Sequence, residues 1–122
     1  MKYFSHLKEG KRLDLPKRTV TIIVGKDDFK SERMTFGVTE VPPNTTMLPH
    51  IHQNEEEIIY IMEGCGYAQV GDETQKIEPG TVILAKIGQE HFISNESDKP
   101  MRFSFCFAPS MTVFPQQQLS KD

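Results

Sequence analysis

Apolar residues in this chain recur at every second position or in short unbroken runs, and no stretch of useful length carries the 3.6-residue period of a helix. The β-branched run Thr19-Val20-Thr21-Ile22-Ile23-Val24 stops at Gly25, and a polar loop from Lys26 to Ser31 follows, which predicts a strand and a turn. Arg33 to Val41 alternates, with Met34, Phe36 and Val38 on one face and Thr35, Gly37 and Thr39 on the other, as in a half-buried strand. Pro42-Pro43-Asn44-Thr45 then reverses the chain, Pro pre-setting φ and Asn able to take the left-handed conformation. Gly64-Cys65-Gly66, Gly71-Asp72, Glu78-Pro79-Gly80, Gly88 and Asn95–Lys99 punctuate the remaining apolar runs. Many short strands joined by tight turns predict an all-β sandwich or closed barrel, with helix only near the termini.

Length changes this picture little: 122 residues and 14.0 kDa suit one domain and exclude a two-domain dinucleotide enzyme or a (β/α)₈ barrel. Residues 1–17 are basic and without a clear period, so they read as an arm or a peripheral strand; 18–114 form the expected barrel domain. The tail, 115–122, has three consecutive glutamines and too little apolar content to pack, and is expected to fray. A net charge of −3 gives no electrostatic reason to bind a phosphate backbone, so nucleic acid is not an expected partner. The apolar run at the N-terminus breaks off too early for a secretory signal, and nothing approaches the ~18 apolar residues of a membrane span. A soluble, cytoplasmic protein without a membrane partner is expected. Cys65 and Cys106 are too few for a disulfide framework and read as free thiols.

Candidate chemistry begins at His50-Ile51-His52. Residues two apart in an extended segment project to the same side, so both imidazoles can reach one point, although paired histidines also serve as hydrogen-bonded core spacers. Carboxylates follow at Glu55, Glu56 and Glu57, and Ile58-Ile59-Tyr60-Ile61-Met62 then reads as a buried strand ending near Gly64. The pattern His50-x-His52-x₄-Glu57-x₆-Gly64 resembles the first motif of the cupin superfamily, and Gly80-x₅-Lys86-x-Gly88-x₂-His91-x₃-Asn95 resembles the second. Two positions depart from it: Asn44 stands where the first motif opens with Gly, and Lys86 where the second has Pro. Asn44 can supply the same positive φ, whereas losing the Pro loosens the approach to Gly88.

The resemblance implies a single-domain jelly-roll β-barrel of six to eight strands, closed so that strand edges are hidden, with a metal held by His50, His52, Glu57 and His91. Three imidazoles and a carboxylate suit a first-row divalent ion. They would saturate tetrahedral zinc but leave two positions open on an octahedral ion, so Fe, Mn or Ni is favoured over Co or Zn. A small molecule that chelates through two oxygens, such as a hydroxy acid, keto acid or sugar derivative, is the implied substrate. Dioxygenase, decarboxylase, lyase and isomerase chemistry are all open. The alternatives are a non-catalytic metal- or small-molecule-binding or sensing module, and a metal-independent sugar isomerase or epimerase with His50, His52 or His91 as base.

Strand parity places Glu57, Ile59 and Ile61 inward and Ile58, Tyr60 and Met62 outward, with Glu55 and Glu56 as solvated turn charges. The outward row is an apolar stripe that a homodimer, or the chain's own N-terminal arm, is expected to cover. Phe103, Phe105 and Phe107 share one face and read as core, opposite Ser104 and Cys106. Met34 and Phe36 are candidates for the pocket mouth. Lys86, Gln89 and Glu90 are candidates for contacts there, with a solvated loop as the plainer reading, and His6 is a surface residue.

Overall fold

The computed structural model describes residues 2–111 and Phe114. After a 3₁₀ turn (Leu7–Glu9) come β1 (Lys11–Leu15), β2 (Arg18–Val24), β3 (Thr35–Val41), β4 (Thr45–Thr46), β5 (Glu56–Glu63) and β6 (Gly66–Val70). Then follow β7 (Glu73–Ile77), β8 (Val82–Ala85), β9 (His91–Asn95) and β10 (Met101–Ala108). The described residues contain no α-helix, and none of their helices is long and apolar enough to cross a membrane. The fraying expected of the tail at 115–122 concerns residues outside the described ones.

All pairing is antiparallel and falls into two facing sheets, ordered β1-β2-β3-β10-β5-β8 and β4-β9-β6-β7. This is the all-β jelly-roll architecture, with two departures from the sequence expectation. Ten strands form among the described residues rather than six to eight: residues 1–17, read as an arm or a peripheral strand, supply the edge strand β1, in register with β2 from Lys11↔Ile22 to Leu15↔Arg18, and the Thr45–Thr46 pair counts as a strand. The sheets also do not close into one hydrogen-bonded cylinder. After the turn at Glu78-Pro79-Gly80-Thr81 the backbone of Gly80 and Thr81 bonds to Ile61 of β5 and β8 continues along β5, so β7 and β8 end up as edges of different sheets.

The core is what the inward residues of β2, β3, β5, β9 and β10 enclose: Val20, Val41, Ile59, Ile61, Ile93, Met101, Phe103, Phe105 and Phe107 are all buried. Each such side chain contributes roughly 1.5–3 kcal/mol by leaving water. The parity expected for β5 and β10 is met on every residue, with Ser104 and Cys106 facing out. On β3 the alternation is met, and the buried face is the one that carries the smaller and more polar residues. Thr35, Gly37, Thr39 and Val41 are inside, while Phe36 is on the outer face and Met34, just before the strand, is exposed, so neither lines the pocket mouth. Space is the reason: a Cβ at Gly37 would lie 2.7 Å from Phe105 Cζ and against the Thr21 carbonyl, so the ring of Phe105 occupies the volume that β3 leaves empty.

Cys65 and Cys106 are free thiols. His6 is exposed, and its Nδ1 accepts the Lys8 N–H to cap the 3₁₀ turn. Residues 2–17 lie against or beyond β2 at the far edge from β5, and the outward row stays open: Ile58 is 52%, Tyr60 48% and Met62 38% exposed. The N-terminal arm does not cover it.

Candidate metal centre

Backbone hydrogen bonds bring the two histidine-bearing segments together. His50 and His91 exchange N–H···O=C bonds at 3.1 and 3.0 Å, although the first lies in a loop and the second opens β9. The Gly88 N–H donates to the His52 carbonyl at 3.0 Å, from a turn in which Gly88 takes φ 80°, a value that favours glycine. Lys86 does not loosen that turn. Its N–H, which a Pro would lack, donates to Gln89 Oε1 at 3.0 Å, and the Gln89 N–H donates to the Lys86 carbonyl at 3.2 Å. Asn44 takes φ 50°, as the reading of its position requires. Asn95, at the end of β9, is buried; its Nδ2 donates to the carbonyls of Val41, Pro42 and Lys99, and its Oδ1 accepts from Ser97. It therefore ties the turn before the first histidines to the strand that carries the third.

Inside, one potential ligand atom from each of His50, His52, Glu57 and His91 lies within 4.8 Å of every other. His52, Glu57 and His91 are buried, and His50 is partly so. Glu57 Oε1 sits 3.1 Å from His52 Nε2 and 3.0 Å from His91 Nε2. The His50 ring lies 4.3 Å from that of His91, centroid to centroid, and Phe107 packs edge-on against His52 at 4.7 Å. Glu55 is only partly buried and Glu56 is exposed, so parity selects Glu57 from the three consecutive carboxylates.

The ring nitrogens that face away from the cluster settle what it asks for. His91 Nδ1 lies 2.9 Å from the Gln89 carbonyl and His50 Nδ1 3.2 Å from the Leu48 carbonyl. A carbonyl only accepts, so both Nδ1 atoms carry protons. In a neutral His91 the Nε2 is then a bare lone pair pressed against a carboxylate oxygen. That contact is favourable only with a proton between the two groups, on His91 or on Glu57, or with a cation shared by the group.

The electrostatics of the cation-free cluster follow. Burial resists charging His91, but the hydrogen bond and charge of Glu57 outweigh it and hold its pKa above the ordinary imidazole value. Burial likewise opposes ionisation of Glu57, yet hydrogen bonds from His52 and His91 bring its pKa down to about 2. His50 is driven down to about 3, first by burial and then by repulsion from His91 and Arg18. A lowered pKa keeps His50 neutral, the form that can ligate a metal. This buried His-His-Glu-His group could bind a divalent ion, and its donor chemistry fits one.

A fifth residue belongs here that the motif reading missed. Arg18 is 5% exposed on the inward face of β2 and lines the same cavity, and burial lowers its pKa to about 10 against the opposing pull of Glu57. The signal was available: Arg18 is in phase with Val20 and Ile22, the buried face of its strand. The cavity itself holds about 20 Å³, room for about one water. Phe114 and His52 line both this cavity and an outer depression of about 320 Å³ that also touches Ile51, Gln53, Asn54, Glu55 and Met111. Lys86 and Glu90 are exposed and Gln89 is spent on the Lys86 turn; none of the three lines the inner cavity.

Known proteins resemble this chain in sequence and in fold. Residues 37–108 match the family described as Cupin domain. An L-ectoine synthase from Aliivibrio fischeri is 35% identical over 88 residues, which cover 69% of this chain and 67% of that protein. An oxalate-binding protein from Thermotoga maritima is 26% identical over 81 residues, covering 66% and 67%. The solved structure of TT1209 from Thermus thermophilus superimposes with a TM-score of 0.70 at 27% identity, covering 88% of this chain and 98% of that one. With its two sheets, its clustered histidines and a family match across most of its strands, the chain belongs to the cupin domain family.

Proposed function

We propose that the protein is a small metalloenzyme in which His50, His52, Glu57 and His91 hold one divalent transition metal, with Fe, Mn or Ni favoured. Its substrate is a small organic molecule that chelates the ion through oxygen. The observation that carries this reading is the convergence of four donor atoms within 4.8 Å of one another, crowded at Glu57 Oε1, where His91, with its Nδ1 proton committed to a carbonyl, turns its Nε2 lone pair into the group. A bound ion would polarise a chelated carbonyl or lower the pKa of a water. The protein's own residues orient the rings through the Leu48 and Gln89 carbonyls and exclude bulk water with Phe107 and Phe114. Similarity to L-ectoine synthase supports an enzyme. Similarity to an oxalate-binding protein, and a cavity of about 20 Å³, favour the second reading, a module that binds its ligand without turning it over.

Metal content by mass spectrometry on untagged protein tests the centre. Wild type should carry about one equivalent of ion, and His52→Ala and Glu57→Gln should carry clearly less, since each removes a ligand. Folded wild type that is metal-free and takes up no added ion overturns it. Oxygen uptake or product formation with a panel of hydroxy and keto acids then separates enzyme from binding module.

Two further parts of the reading concern where and with what the chain acts. The exposed row on β5 continues across β8 as Val82 and Leu84, which pair with Tyr60 and Ile58, and this face supports a homodimer. Free thiols at Cys65 and Cys106 support a cytoplasmic location.

A further inference from the structure

The outer face of the six-stranded sheet has two unlike halves. Over β5 and β8 it is apolar: Ile58, Tyr60, Met62, Val82 and Leu84 stand open to water. Over β2 and β3 it is covered in part by the 3₁₀ turn, where a Cβ at Gly10 would lie 2.5 Å from the outward Thr21. Leu7 and Lys8 there wall a groove of about 340 Å³ together with Thr19, Thr21, Val38 and Arg102. The segment that leads into the turn presents two aromatic rings, Tyr3 at 74% and Phe4 at 86% exposed. It is tied at both ends. Lys2 Nζ donates to Glu9 Oε2 at 3.0 Å, lies 3.6 Å from Asp28 Oδ2 and sits 5.7 Å from the centre of the Phe29 ring, while His6 caps the turn. Rings fixed on either side lose little freedom on binding, which suits them as anchors. Within one chain they do not meet the apolar row, because β5 is three strands from β2, about 14 Å at the usual strand spacing, and Lys2 keeps the arm at its own edge.

A second copy satisfies both features at once. A two-fold contact is self-complementary, so an arm that docks on a row does so twice. Strand order sets the axis, since β3 and β10 lie between the arm's half of the face and the row's half. Rotation about an axis along those strands brings the β2 half of one copy over the β5 and β8 half of the other, whereas an axis across them would stack arm on arm and row on row. We propose that Tyr3 and Phe4 of each copy dock on the surface formed by Ile58, Tyr60, Val82 and Leu84 of the other, in a face-to-face dimer whose axis runs above β3 and β10. This rests on the homodimer reading above and names its contact. Covering two mostly exposed rings per copy and the half-exposed row beneath them removes about 1,200 Å² from water in all, the size at which stable specific interfaces begin.

The test combines light scattering over a dilution series with disulfide trapping, both on the full chain. Wild type should scatter at twice the 14.0 kDa chain mass, and the double variant Tyr3→Ser, Phe4→Ser should dissociate at concentrations at least about tenfold higher, with an unchanged circular dichroism spectrum because both rings are exposed in the single chain. For trapping, Cys65→Ser and Cys106→Ser remove the native thiols, and Phe4→Cys is placed in one preparation and Leu84→Cys in another. Mixed and oxidised, the two should yield a cross-linked pair that neither yields alone. Leu84→Cys that cross-links only with itself overturns the docking, since it reports row on row. A chain carrying both cysteines that closes at single-chain mass overturns it too, since the arm then covers its own row. Should the thiol-free chain fail to fold, the scattering of the double variant decides. A wild type that scatters as a single chain overturns the homodimer and the docking with it. That result is distinct from failure of the docking alone, in which wild type and the double variant are dimers of equal strength.

Discussion

The two faces of the six-stranded sheet invert the ordinary distribution of polarity. Its inner face carries Arg18, Thr39 and Glu57 among the apolar residues, all nearly sealed from water. The outer face carries Phe36, Ile58, Tyr60, Met62, Val82 and Leu84, each more than a third exposed. Side-chain hydropathy alone would turn β3 over. What decides is volume and pairing: Phe105 needs the space over Gly37, and the buried ions need one another. The inner face is thus fixed by packing and by compensated charge, while the outer one is fixed by neither and is available to a partner.

The sharpest way to break this contrast is a matched pair of truncations. Phe105→Ala should cost about 3–5 kcal/mol, because Phe105 is 2% exposed and packs at 5.2 and 5.6 Å, centroid to centroid, on Phe107 and Phe114. Tyr60→Ala, on the outer face and 48% exposed, should change the stability of a single chain by about 0.5 kcal/mol or less. Urea unfolding of both measures the difference, and comparable losses would mean that the outer face is held as firmly as the inner one.

These two faces also mark how far the sequence could be read. Parity was legible on β5 and β10, whose aromatic and β-branched residues alternate with no competing signal, and the four candidate ligands were legible from spacing because the cupin motifs fix their order. The side of β3 was not legible, since the pressure of Phe105 on Gly37 comes from a strand far away in sequence. Arg18 was passed over because a charge at the start of a strand resembles a solvated end; only its phase with Val20 and Ile22 gives it away. The turn at Lys86 reads as a weakened Pro position until Gln89 is seen to bind its N–H. Phe114 is a further case: its place at the cavity depends on where the chain returns after β10, which no local pattern encodes.

Acid provides the next test, because it addresses the inner face alone. None of Phe36, Ile58, Tyr60, Met62, Val82 and Leu84 gains charge below neutral pH. In the metal-free protein the His50 pKa is about 3 against 6.5 for an ordinary histidine, so between those values the unfolded chain binds more protons and stability falls as pH falls. Glu57, at about 2 against 4.5, adds its own loss as pH drops below 4.5. His91, raised above 6.5, contributes in the opposite sense: its stabilisation is complete below 6.5 and disappears as pH rises through its folded value. Thermal melts in the presence of a chelator should therefore give a maximum near pH 6.5, with a decline on the acid side that steepens below 4.5. A flat profile from 6.5 to 4 would mean that His50 titrates as an ordinary surface histidine.

The smallest effect on the chain's own stability, and the most informative about the outer face, comes from placing charge on it. Tyr60→Glu puts a carboxylate at the centre of the row formed by Ile58, Met62, Val82 and Leu84, beside Val82 in the β5–β8 register. On an isolated chain the substitution is a surface change worth about 0.5 kcal/mol or less. In a two-fold dimer each copy would present the new charge to its counterpart's apolar face, and a charge desolvated without a partner costs several kcal/mol. Light scattering should therefore report twice the 14.0 kDa chain mass for wild type and the single-chain mass for Tyr60→Glu, with metal content unaltered because Glu57 lies on the opposite face of the same strand. A wild type that scatters as a single chain would remove the dimer and leave the apolar face without an occupant; a variant that remains dimeric would move the interface to another part of the surface.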